Sequence, residues 1–165
     1  MDHLVKLDAL DYRIIRLLSE DGRMDCAEMG RRLGQSARTI RYRLNRLIKN
    51  QVLQVSAIVE PAAFGYTVRA DVVIETEPGQ VLNVARAAAQ LEQVSYAACS
   101  TGDRDVSIQV LAHDADELYH FVADVVHNIP GVRRTQTHLL PLRIKDVHQW
   151  RPPEPSSRAL ALEGA

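Results

Sequence analysis

The chain has 165 residues, 46% of them hydrophobic and 25% charged, with a formal net charge of −1. That length suits one domain or two small ones with a buried core, and the composition excludes disorder as the general state. No apolar run approaches the roughly 18 residues of a membrane span, the opening MDHLVKLDALD lacks the blocks of a signal peptide, and Cys26 and Cys99 form no CxxC pair, so a cytoplasmic protein with free, structural cysteines is expected.

The spacing predicts a first helix capped at Asp8, with Leu7 placed before it as a staple and Leu10, Ile14, Leu17 and Leu18 on one apolar stripe. EDGR (20–23) ends it at a glycine. A second, short helix starts after Asp25, where Glu28 three residues on completes a capping-box pattern, and it runs through Met29 and Leu33 to stop at Gly34. Gly30 inside it costs about 1 kcal/mol relative to Ala. Only Gln35 and Ser36 separate it from a third helix, with Ser36 as N-cap.

The third helix concentrates five of the eleven Lys and Arg of residues 1–55. GQSARTIRYRLNRLIKN (34–50) contains Arg38, Arg41, Arg43, Arg46 and Lys49 and no acidic residue. Residues 1–55 carry a net of +4 and the remainder a net of −5, so a basic module is joined to an acidic one. At 100° per residue Ile40, Leu44 and Leu47 share a face with Ile48 beside them, while Arg38, Tyr42, Asn45 and Lys49 lie opposite and Arg46 next to them. A solvated helix face ordinarily mixes both signs of charge, and this one does not. Two helices joined by the tight LGQS turn, the second basic outside, fit helix-turn-helix DNA binding. The candidate contact set is Ser36, Arg38, Thr39, Arg41, Tyr42, Arg46 and Lys49. Arg38 and Tyr42, with Arg41, suit base edges, Arg46 and Lys49 suit phosphates, and Ser36 opens the helix N-terminus to phosphate. Asn50 is expected to tolerate a left-handed C-cap.

VLQVSAIVEP (52–61) reads as a wing or hinge strand, and Pro61 with FGY (64–66) marks a second module. There TVRADVVIET alternates, with Val68, Ala70, Val72 and Ile74 on one side and Arg69, Asp71 and Glu75 on the other. Pro78-Gly79 opens a helix bearing Val81, Val84, Ala88 and Leu91. VSYAACST (94–101) is a strand, GDRD (102–105) a turn and VSIQVLA (106–112) another strand. Asp114 caps a helix with Leu118, Phe121, Val122, Val125 and Ile129 as its buried stripe. Pro130-Gly131 stops it, and VRRTQTHLLPLRI returns as the last strand. The order β-α-β-β-α-β predicts a ferredoxin-like antiparallel sheet with both helices on one face. Val73, Cys99 and Leu111 are placed on the other face, where they favour burial against a second copy. The expected division is 1–60 for the DNA-binding domain with its hinge strand, 61–150 for the sheet domain, and 151–165 for a loose Pro-rich tail. The fold class is α+β.

These segments in this order resemble the Lrp/AsnC family of prokaryotic transcription factors (leucine-responsive regulatory protein and asparagine-synthesis regulator). The residues that carry the resemblance are LDALDYRIIRLLSEDGRMD, AEMGRRLGQSARTIRYRLNRL, PAAFGY, TGDRD and PGVRRTQTHLL, from about Leu7 to Ile144. The resemblance implies a winged helix-turn-helix plus a ferredoxin-like effector-binding domain that pairs sheets into a homodimer, commonly assembling further, to octamers. It also implies a small effector, usually an amino acid, near the Gly-Asp-x-Asp loop, which by position gives Thr101, Gly102, Asp103 and Asp105. A carboxylate there would pair with an α-ammonium. Taken by itself, the same loop is a hairpin whose aspartates satisfy the turn. Asn50-Gln51 and Met29-Gly30 depart from the family's usual Gly and Leu-Ala, and the tail has no counterpart.

No phosphate loop, nucleophile motif or convergent acid–base set points to an enzyme, and no cofactor is expected. His120, Asp124 and His127 share a helix face at i, i+4 and i+7, yet that face lies opposite the apolar stripe, where polar residues belong, so no metal is expected. The expectation is a DNA-binding transcriptional regulator answering to an amino acid. The alternative is an architectural DNA-binding protein without an effector, and ligand-dependent affinity separates the two.

Overall fold

A computed structural model describes residues 6–102 and 104–152. The chain divides into two compact units, one formed by the residues up to Ala57 together with those from Lys145 on, the other by Ile58–Ile144. The loose tail expected over 151–165 lies, from residue 153 on, outside the described residues.

In the first unit α1 (Ala9–Glu20), α2 (Cys26–Leu33) and α3 (Ala37–Lys49) each begin at the cap the sequence predicts. Asp8 accepts the Asp11 N–H at 3.0 Å, and Asp11 accepts the Asp8 N–H at 3.1 Å, a reciprocal capping box. Asp25 accepts the Glu28 N–H at 2.8 Å. Glu28 does not complete the expected box, because its carboxylate turns to Arg31 and Arg32 one turn on. Gly34 closes α2 in the left-handed region at φ 66°.

The three helices bury Ile14, Ile15, Leu18, Met29, Ile40 and Leu47 against one another. Helices of 12, 8 and 13 residues are marginal alone. Burial of each large aliphatic side chain contributes about 1.5–3 kcal/mol and holds them together. The buried stripe of α1 is rotated from the expected one: Leu10 and Leu17 are only partly covered, and Asp11 is fully buried. The end of α3 also differs. Asn50 has φ −88°, and the left-handed residue is Gln51 at φ 57°, since the Val52 N–H must turn back to the Leu47 carbonyl at 2.9 Å. The expected wing or hinge strand does not form: residues 53–60 have no ladder partner among the described residues, and Val55, Ile58 and Val59 are exposed.

The second unit opens with a 3₁₀ turn (Pro61–Phe64) and continues β1 (Val68–Thr76), α4 (Val81–Ala88), β2 (Val94–Cys99), β3 (Val106–Ala112), α5 (Ala115–His120) and β4 (Val132–Leu139). All strand pairs are antiparallel in the order β2-β3-β1-β4, the ferredoxin-like arrangement. Ala70, Val72 and Ile74 of β1 and Val106, Ile108 and Val110 of β3 form one core with Val84 and Ala88 of α4 and with Leu118 of α5. Both helices therefore cover the same sheet face.

Two expected burial positions change. After His120 the helix continues as a π-helical turn (Phe121–Val126), which rotates each residue less and shifts the stripe by one. Val126 is fully buried and Val125 is 39% exposed. In β2 a register shift between Val94 and Tyr96 reverses the alternation. Cys99 therefore lies opposite Val106, on the helix-bearing side, and is exposed. Tyr96 and Ala98 join Val73 and Leu111 on the open face instead.

Candidate nucleic-acid interface and effector loop

Helix α3 starts where Ser36 Oγ accepts the Thr39 N–H at 3.0 Å, with the two hydroxyl oxygens 2.8 Å apart. The cap fixes where the helix begins and so which residues face outward. Arg38, Arg41, Tyr42 and Asn45 line an open depression of about 480 Å³ with Ala37 at one end. Tyr42 is 69% exposed. Arg38, Arg41 and Lys49 are exposed and enter no salt bridge among the described residues. The face offers guanidinium and amide groups of the kind that bond base edges, plus phosphate-neutralising charge. Asn45, left out of the predicted contact set, belongs to this depression, as its place on the helical wheel indicates.

The other two cations turn inward. Arg43 Nη1 meets Asp8 Oδ2 and lies 3.3 Å from Asp11 Oδ1, and Arg46 Nη2 meets Asp11 Oδ2. Their side chains are 25% and 32% exposed. Arg46, expected at phosphate, is placed here with its charge shared with a buried carboxylate. A signal was present in the sequence: Asp11 stands three and seven residues before Ile14 and Leu18, on the face that packs.

Burial pushes the Asp8 carboxyl up, but the Asp11 N–H and the Arg43 guanidinium outweigh this and hold it below the ordinary range. The Glu28 N–H lowers Asp25, and Arg32 and then Arg31 lower Glu28. The Arg43 guanidinium is raised, foremost by its bond to Asp8. Carboxyls depressed in the folded state bind protons more readily when unfolded, so their stabilisation is complete above the unfolded values and lost as pH falls through the folded ones. The melting temperature of the helix-turn-helix unit is expected to fall as pH is lowered below about 4. A flat profile from pH 5 to pH 3 by circular dichroism would show that these pairs contribute nothing.

In the second unit the loop between β2 and β3 is held at both ends. The Ser100 N–H bonds the Asp105 carbonyl at 2.9 Å, and Ser100 Oγ donates to the Arg104 carbonyl at 2.8 Å. Asp105 Oδ2 accepts the Thr76 N–H at 2.7 Å and the Thr76 hydroxyl at 3.1 Å, tying the loop to the end of β1. Thr101 and Gly102 are exposed at the tip, where Gly102 has φ 128°. Asp103 lies outside the described residues. Asp105 thus ties the base of the loop to β1 through one of its two carboxylate oxygens. Asp105→Ala would strand two donors of the nearly buried Thr76, at a cost of about 1–3 kcal/mol. Urea unfolding measures it, and a variant as stable as wild type would remove Asp105 from this role.

The histidine face gathers no site. His120 Nδ1 lies 3.1 Å from Asp124 Oδ2, while His127 Nε2 bonds Thr135 Oγ1. Among the described residues no group of three or more His, Cys, Asp or Glu is placed to hold a metal ion, and no helix is long and apolar enough to cross a membrane.

A helix-turn-helix with a cationic outward helix, followed by a ferredoxin-like sheet unit, defines the class of two-module DNA-binding regulators. Residues 7–48 match the AsnC-type helix-turn-helix domain and residues 69–149 the Lrp/AsnC ligand binding domain. The chain belongs to the Lrp/AsnC family and is a DNA-binding transcriptional regulator of that type, not an enzyme. It is 38% identical over 147 residues to an uncharacterised HTH-type transcriptional regulator of Pyrococcus abyssi, covering 88% of this chain and 90% of that one. The Mycobacterium tuberculosis leucine response regulatory protein superposes with a TM-score of 0.77 at 26% identity, over 88% of this chain and all of that one. A Neisseria meningitidis transcriptional regulator, solved as its L-Met complex, shares the fold with a TM-score of 0.78 at 24% identity, over 85% and 93% of the two chains.

Proposed function

We propose that this regulator reads specific DNA sites through the outward face of α3 and adjusts that binding in response to an amino acid. The observation that carries the reading is the exposed set Arg38, Arg41, Tyr42 and Asn45, with no acid among them. Arg38 and Tyr42 near the helix start, with Arg41, take base edges. Lys49 neutralises phosphate, and Ser36, paired with Thr39, presents the helix N-terminus to the backbone. Arg46 is assigned to holding the helix rather than touching DNA.

The effector reading rests on the ligand-binding domain and on a fold that holds L-Met in the Neisseria protein. Thr101 and Gly102 at the loop tip are its residues here, with Asp103 next to them in sequence and Asp105 anchoring the loop to β1. Val73, Tyr96, Ala98 and Leu111 on the open face support pairing of two sheets into a homodimer, the building block of a larger assembly such as an octamer. Two recognition helices then meet half-sites about one helical turn, or a multiple, apart. The protein acts in the cytoplasm, where its two cysteines stay reduced.

Fluorescence anisotropy on DNA from upstream of the protein's own gene, titrated in salt and repeated with each of the twenty amino acids, tests the reading. Steeply salt-dependent binding that shifts with one amino acid supports it. Binding indifferent to all twenty favours an architectural role, and no binding at low salt overturns the assignment of α3. Arg38→Ala is expected to weaken the specific site by about 1–3 kcal/mol while sparing random DNA. Equal losses on both would remove Arg38 from base reading.

A further inference from the structure

Five cations lie on α3, yet the structure leaves only three of them facing outward. Arg43 and Arg46, one turn apart, converge on Asp8 and Asp11 at the start of α1. Asp11 is fully buried, and both of its oxygens lie within bonding distance of a guanidinium. Its Oδ2 also accepts the Asp8 N–H, so the carboxylate is held in place by the capping box as well as by charge. Arg46 Nε is buried with no acceptor, which fits a side chain drawn inward rather than extended along the surface. Both guanidinium groups keep a quarter to a third of their side chains open to water. They are within reach of the surface and are kept from it by the two carboxylates.

The electrostatic consequence is specific. Binding to arbitrary DNA is driven by counterion release, and its salt slope grows by about 0.9 for each phosphate neutralised. Specific recognition depends on the ratio of site affinity to that background. Two carboxylates that pair with two recognition-helix arginines lower the background without removing a base contact. We infer that Asp11 is a specificity-determining positioning residue, which together with Asp8 withholds Arg43 and Arg46 from phosphate while fixing the rotation of α3 about its own axis. It acts through the two arginines and does not touch DNA. The inference rests on α3 being the helix that meets DNA.

The test is the salt slope of binding to random-sequence duplex, measured by anisotropy on the full chain. Asp11→Asn keeps the shape and removes the charge. It is expected to tighten random binding several-fold at low salt and to steepen the slope by about 0.9, while the preference for the specific site shrinks. Adding Arg46→Gln to Asp11→Asn is expected to bring the slope back toward wild type. A residue that merely supported the fold would lower all binding without steepening the slope, and that result overturns the inference. If Asp11→Asn does not fold, Arg46→Gln alone decides. An unchanged slope supports withheld charge, whereas a loss of about 0.9 shows a phosphate contact and overturns it. Lys49→Gln separates the two levels: it is expected to lower the slope by about 0.9. No change there overturns the assignment of α3, and this inference with it.

Discussion

Replacing Arg43 and Arg46 together by Met is expected to destabilise the helix-turn-helix unit by about 3–5 kcal/mol. The double variant would leave the Asp11 carboxylate fully buried among Ile14, Ile15 and Leu18 with neither of its cationic partners. One hydrogen bond from the Asp8 N–H remains, which is far short of what an ionised carboxylate loses on leaving water. Adding Asp11→Leu should recover most of the loss, because a buried ionic cluster replaced by apolar groups of similar volume is often neutral in stability. The shortfall would reflect the lost half of the capping box. Urea unfolding of wild type, double and triple variants measures the cycle. A double variant within about 1 kcal/mol of wild type would show that Asp11 finds solvent or a proton without strain.

Gly30→Val is expected to cost about 3 kcal/mol or more and to abolish specific DNA binding. A Cβ at Gly30 would lie 2.6 Å from the Gln35 carbonyl oxygen and 3.4 Å from the Ala37 nitrogen, both backbone atoms. The turn cannot swing aside freely, since the Gln35 N–H is bonded to the Gly30 carbonyl at 2.9 Å and Gly34 is fixed in the left-handed region. Two further methyl carbons would press the start of α3 away from α2 and displace Arg38 and Tyr42 together. Gly30→Ala sets a helix-propensity gain of about 1 kcal/mol against the same carbonyl, and is expected to lose by a smaller margin. Thermal melting and anisotropy on the specific site read both effects. A Gly30→Val protein that melts and binds like wild type would show that the turn relaxes at no cost. On propensity alone, Gly30 looked like a plain cost inside α2. Its use becomes visible only once the following turn is folded back over it.

The same division between near and far runs through the molecule. Asp8, Asp25, Ser36 and Asp114 cap helices through bonds to backbone three residues away, so spacing alone reveals them. The alternation of Val68–Thr76 and Val106–Ala112 likewise needs only a period of two, and it carried the sheet order as far as the ferredoxin-like arrangement. The outward face of α3 was legible because 100° per residue is a local rule.

Where a distant partner decides, the pattern misleads. The π-helical turn exchanges Val125 for Val126 in the core, and the irregularity beside Tyr96 moves Cys99 to the helix-bearing side. Both depend on how an element settles on its neighbours rather than on its own period. Residues 53–60 carry the composition of a strand, but a strand exists only with a ladder partner. Asp105 looks like an exposed loop aspartate until Thr76, 29 residues earlier, is laid beside it. The sequence by itself determined the caps, the periods, the order of elements and the cationic helix, because each is written in residues within about one turn of one another. Which arginines of α3 face outward and which are held in ion pairs was decided only by tertiary structure. Asp11 lies 32 and 35 residues from Arg43 and Arg46, and only the packing of α1 against α3 buries its charge between them.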